Sequence, residues 1–242
     1  MNDSNQISST ETSSTEVSIT QRENKPSPLI KGWQYIVYFV LLLWVIESAE
    51  ELFNISFSPL SIFPQNLFGL VGVIFAPLLH SNYDHLIANS LPLLLLGGLL
   101  FYGYPVSKWK TIAIVWVISG FGVWLFGRPS YHLGASGIVS GLFYFLFFAS
   151  IFRRDKRSIA LMFIAVIMYG GILLGILPWD PKISFESHLF GAVGGIFSAL
   201  LFRSQDPKLE RKIYDWEFEE SQGESADVEA GETYLKIENI HR

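Results

Sequence analysis

Ser136 stands in YHLGASGIVSGLFYFLFF, residues 131–148, between small residues at the entrance to a strongly apolar run. A serine hydroxyl is a poor nucleophile at its free pKa and needs an adjacent base. A neutral histidine within hydrogen-bond reach can take its proton. His188 opens a second apolar run, HLFGAVGGIFSALLF, residues 188–202. Acyl transfer also needs hydrogen-bond donors where the oxyanion develops. His85, the Asn89 amide and the Ser136 backbone N–H are candidates for that task. His85 and Asn89, in HSNYDHLIANS, are four residues apart and so share one helix face.

Each feature alone has a plainer meaning. GASG followed by a GxxxG spacing is a usual helix-packing signature. A lone histidine near a membrane interface is commonly a structural hydrogen-bonder, and H-x-x-x-N alone is weak. His132 precedes the GASG turn and reads as an outer-loop residue rather than the base. His241 lies in the C-terminal tail with no role to argue.

The elements that must position these groups follow from composition. The 242 residues are half hydrophobic, with a mean hydropathy of +0.35, which points to a polytopic membrane protein. The net charge of −5 belongs to the tails: residues 203–242 carry 11 acidic and 6 basic side chains, and the segment 32–202 is near neutral. No basic face suggests nucleic acid. There is no cysteine, which excludes disulfides and thiolate metal sites. No cofactor or metal is expected.

Residues 1–31 are polar and read as a disordered cytoplasmic segment without a cleavable signal peptide. Apolar spans follow at about 33–49, 83–102, 109–126, 136–152, 158–177 and 187–202. The expected fold is therefore an all-α membrane protein, a six-helix bundle over 32–202, with a charged cytoplasmic tail over 203–242. In that tail RKIYDWEFEE could form a short surface helix. The piece LFGLVGVIFAPLLH, 67–80, is short and holds two glycines and a proline. If it spanned, the parity after it would flip and put Arg153-Arg154-Asp155-Lys156-Arg157 outside, against the cytoplasmic preference of Lys and Arg. It reads instead as a partly embedded loop.

With six spans, both termini and the basic turns share the cytoplasmic side. His85, Ser136 and His188 then open three even-numbered helices at similar depth on the outer side. Polar groups inside spans are functional candidates by default. Ser81 with Asp84 has capping-box spacing and would start the second span. Gly137 with Gly141, and Gly191 with Gly195, form two GxxxG faces. If they meet, Ser136 and His188 come together.

GASG, H-x-x-x-N and H-x-x-G, each opening a span, together resemble the rhomboid family of intramembrane serine proteases. The resemblance covers about residues 33–202. It implies a dyad of Ser136 as nucleophile and His188 as base, with the Gly134–Gly137 turn holding the oxyanion backbone and His85 and Asn89 completing the hole. It also matches His80 to a histidine of structural role. The implied substrates are transmembrane segments of other proteins, cut near the outer surface, in a multi-pass protein of the plasma membrane. Two departures stand out. Residues 50–82 lack the Trp-Arg pair many members carry. Ser140 replaces an aromatic that stacks on the base, which leaves open what orients His188. Glu186 lies about 200° around the helix from His188 and is a poor third member.

Two other readings compete. One is a catalytically silent rhomboid-like binder or chaperone of membrane clients. The other is a small transporter or metal carrier using His80, His85, His132 and His188. No acidic residue inside a span is expected to serve such a carrier.

Overall fold

A computed structural model describes residues 28–178 and 184–208. Most of the polar N-terminal segment and RKIYDWEFEE lie outside these residues. Seven α-helices are present among the described residues: α1 Pro28–Phe53, α2 Gly72–Phe75, α3 Tyr83–Gly103, α4 Lys108–Phe126, α5 Ser136–Arg153, α6 Lys156–Tyr169 and α7 Phe185–Leu201. No strand occurs there, only an isolated bridge between Ile62 and His132.

The helix pattern follows the apolar periodicity, with instructive differences at the ends. α1 begins at Pro28, inside the segment expected to be disordered, because proline suits the first helical position. α3 is capped by Asn82, not by Ser81: the Asn82 side chain accepts the His85 N–H at 2.9 Å. The fifth apolar stretch does not continue to residue 177 as one helix. It stops at Tyr169, where Gly170 and Gly171 allow a tighter 3-10 turn over Gly170–Leu173.

Of the six expected spans, four are helices long and apolar enough to cross a membrane among the described residues: α3, α4, α5, and α6 extended through Leu173. α7 is apolar but has 17 residues, about 25 Å of helix. α1 carries Glu47, Glu50 and Glu51 in its last two turns. Glu47 lies within α1 and is buried, so an acidic group does sit inside an apolar helix, contrary to expectation.

Residues 67–80 form no single helix: two 3-10 turns, Phe68–Leu70 and Ala76–Leu78, flank the short α2. Leu67, Phe68 and Ile74 project outward from it, while Gly72 and Ala76 face the body.

α5 is the central helix. Leu142, Phe143, Phe145 and Leu146 are fully enclosed, packed with Leu86, Leu93, Leu96 and Leu100 of α3. α6 leaves Phe163, Ile164, Ile167 and Met168 exposed, as a lipid-facing helix should. α5 and α7 run parallel with backbones in contact. A β-carbon at Gly191 would strike the Gly137 carbonyl, and one at Gly195 the Gly141 carbonyl. Without a hydrophobic driving force between helices in lipid, such close packing is what holds them.

The opposite end of this pair is clasped. Arg153 is buried at the end of α5, and its guanidinium donates to Asp155 and Ser158 through Nε, and to the carbonyls of Arg203 and Asp206 through Nη1. Asp206 in turn accepts the Val106 and Ser107 N–H groups, supplying the cap that α4 lacks locally. The first residues of the charged tail are thus fastened to the start of α4 and the end of α5. Asp155 caps α6 through the Ser158 N–H at 3.1 Å. Burial pushes the Asp155 carboxyl up, but the Ser158 hydroxyl and N–H and the Arg153 guanidinium outweigh it and hold the carboxyl below its ordinary value.

Candidate active site

Ser136 is the first residue of α5 and His188 lies in the first turn of α7. The glycine contact between the helices sets their register. One turn further along, Ser140 Oγ donates to the His188 carbonyl at 2.8 Å. Ser140, which replaces an expected aromatic, therefore ties the two helix backbones together at His188. Neither the Ser136 hydroxyl nor His188 Nε2 bonds to any other described residue, and both side chains are half-buried. Catalytic hydrogen bonds of free enzymes commonly tighten only with substrate.

What orients the His188 ring is a backbone atom. Nδ1 lies 2.9 Å from the carbonyl oxygen of Gly175. A carbonyl only accepts, so Nδ1 carries the hydrogen, and in the neutral ring Nε2 presents a lone pair. Gly175 belongs to the turn after α6, and its lack of a side chain is what lets it approach: a β-carbon there would stand 3.1 Å from Nδ1. Sequence reasoning missed this residue, which offers a carbonyl rather than a functional side chain. Glu186 is not a third member. It is engaged by Arg128 in a two-pronged ion pair, Nε to Oε1 at 2.6 Å and Nη2 to Oε2 at 3.2 Å.

The turn leading into Ser136 is shaped by Gly134, whose φ is +110°, a conformation open to glycine. The His85 ring closes over it: a β-carbon on Gly134 would lie 2.6 Å from Cε1 and 2.7 Å from Nε2. The Gly134 N–H donates to the Ala76 carbonyl at 2.9 Å, so Gly134 contributes the turn's shape and its fastening to the embedded loop. Ser136, at a helix start, keeps an N–H free of backbone partners among the described residues. The Asn89 amide donates to the His85 carbonyl at 3.0 Å, so Asn89 is buried directly beneath His85. His85 and Asn89 thus stand on one face of α3, with the His85 ring over Gly134.

His80 packs edge-on against His85, with ring centroids 5.1 Å apart, and its Nε2 faces the Ala135 N–H at 3.5 Å. Burial, with the His85 ring beside it, pushes the His80 imidazole down to about 3. It is a neutral support for the turn. Behind the turn lies a cavity of about 20 Å³, lined by Ser119, His132, Gly134, Gly137 and Ser187 among others. That is room for about one water.

Residues 66–205 match the family model described as the rhomboid domain. An uncharacterized protein of Mycobacterium tuberculosis is 38% identical over 199 residues, covering 78% of this chain and 82% of the relative. The rhomboid-named protein L523 of Acanthamoeba polyphaga mimivirus is 27% identical over 176 residues, covering 70% and 91%. The rhomboid-named protein YdcA of Bacillus subtilis is 27% identical over 128 residues, covering 51% and 63%.

Proposed function

Because the chain belongs to the rhomboid family, an integral membrane protein with apolar helices long enough to span, we propose that it is an intramembrane serine endopeptidase working through a Ser136–His188 dyad. The observation that carries this reading is the bond from His188 Nδ1 to the Gly175 carbonyl, which leaves Nε2 of the neutral ring as the proton acceptor, on the helix packed against that of Ser136.

Ser136 Oγ attacks the scissile carbonyl carbon while its proton passes to Nε2 of His188. The C–N bond then breaks, and His188 returns that proton to the leaving amine. Water adds to the resulting acyl ester, giving a proton to Nε2, which passes it back to Ser136 Oγ as the acid departs. The oxyanion in both steps meets the Ser136 N–H, with His85 and Asn89 lining the same side. The name of the Bacillus relative, which provisionally calls it a protease, agrees with this chemistry. The substrates are transmembrane segments of other proteins. The Ser136 end faces outward, because the opposite end gathers Arg153, Arg154, Lys156 and Arg157 at the α5–α6 turn. With α1 and α7 also crossing, as six spans require, both termini are cytoplasmic, in the plasma membrane.

A fluorophosphonate tests the dyad. One adduct should form on the Ser136 peptide of the wild type and be absent from Ser136→Ala and His188→Ala. An unlabelled wild type would indicate a silent binder instead.

A further inference from the structure

His132 lies four residues before the nucleophile, in the connection between α4 and α5, and is 2% exposed. It is the point where three separate segments meet. Its backbone pairs with Ile62 of the embedded loop in both directions, Ile62 N–H to His132 O at 3.0 Å and His132 N–H to Ile62 O at 2.9 Å. Its ring Nε2 faces the Arg128 carbonyl at 3.0 Å, so Nε2 carries a hydrogen and donates it. Its Nδ1 lies 2.7 Å from Ser184 Oγ.

Ser184 is the cap of α7. Its Oγ accepts the Ser187 N–H at 3.2 Å, and its carbonyl accepts the His188 N–H at 3.4 Å. The ring of His132 therefore grips the residue that sets where α7 begins, and with it the first-turn position of His188. Through its own chain, His132 leads in four residues to Ser136. No bond joins it to either dyad side chain among the described residues, so any effect it has runs through placement.

We propose that His132 is a positioning residue for the dyad, holding the nucleophile turn and the cap of the base helix at a fixed separation through its Nδ1–Ser184 bond. The proposal rests on the protease reading above. Near-attack geometry is steep in distance, a misplacement of about 1 Å costing about 10²-fold in rate.

The test uses the full chain in detergent or vesicles, reading three quantities: kcat and KM on a transmembrane substrate, the rate of Ser136 labelling by a fluorophosphonate, and Tm. The amide of asparagine reaches the place of Nδ1, and the longer glutamine reaches the place of Nε2. His132→Asn should keep kcat within about threefold of wild type, while His132→Gln and His132→Ala should lose about 10²-fold in kcat and in labelling rate with KM little changed. Ser184→Ala should match His132→Ala, and the double variant should be no worse, as expected of two ends of one bond. If His132→Ala does not fold, the Asn and Gln pair with Ser184→Ala decides. The proposal is overturned if His132→Gln recovers as fully as His132→Asn, or if Ser184→Ala labels at the wild-type rate. It is also overturned if the lost rate merely follows the lost Tm. Labelling that persists in Ser136→Ala, run alongside, would instead overturn the protease reading and leave a different signature from failure at His132.

Discussion

Gly191 of α7 lies against the backbone carbonyl of Gly137 of α5, with no space for a β-carbon between them. That contact sets how far α7, which carries His188, stands from α5, which carries Ser136. One turn on, Gly195 meets Gly141 in the same way. Gly191→Val should therefore lower both activity and stability. Overpacking a close contact costs typically about 1–3 kcal/mol, and the accompanying displacement should cost about 10²-fold in rate. Normal turnover and Tm in Gly191→Val would mean the helices separate without consequence for the site.

The donors beside Gly134 are predicted to act on the transition state. Removing one preorganised oxyanion donor costs on the order of 10²–10³ in kcat. Asn89→Ala and His85→Ala should each lose turnover in that range while Ser136 remains detectably phosphonylated. Since Asn89 donates to the His85 carbonyl, the double variant should fall short of the product of the two losses. Wild-type turnover in both single variants would reduce these residues to packing.

Much of this candidate site is legible in the sequence. His85, Ser136 and His188 each open an apolar run, and the paired glycines sit four apart on two of those runs. Such local spacing is what a chain displays directly. What escaped reading depends on partners far apart in the chain or on groups with no side-chain signature. Gly175 serves through its carbonyl, hidden in the apolar stretch GILLGIL. His132 looked like an outer-loop residue because its partners are Ile62 and Ser184, each dozens of positions away. Arg153 looked like one charge in a basic turn, yet it is buried because the chain after α7 returns to it. The cap of α3 was displaced by one residue because Ser81 and Asn82 are both competent caps.

The clasp at the other end gives a pH prediction. Asp155 has its carboxyl held below its ordinary value of 3.8, so it contributes stability that is present above that value and lost as pH falls below it. Asp155→Asn should lower Tm at pH 7 by roughly 3 °C, the shift for about 1 kcal/mol in a chain of this size. The gap between wild type and variant should close as the pH drops below 3.8. A gap that stays constant through that window would mean the carboxylate charge is not what holds the clasp.

Orientation can be read with single cysteines, because the native chain has none. Lys156 and Ser130 are both exposed, at opposite ends of α5, whereas Ser158 is buried against Asp155 and unsuitable as a probe. In intact cells a membrane-impermeant thiol reagent should label Ser130→Cys and spare Lys156→Cys. The reverse pattern would place Ser136 on the cytoplasmic side.

The central claim is that Ser136 cuts peptide bonds. Its most direct measurement is cleavage of a fluorescent transmembrane substrate in vesicles by purified wild type beside Ser136→Ala, with circular dichroism showing both folded. The dyad predicts product from the wild type and none above background from Ser136→Ala. Equal cleavage by the two proteins, or none by a wild type that is folded and presented with several transmembrane substrates, would contradict it.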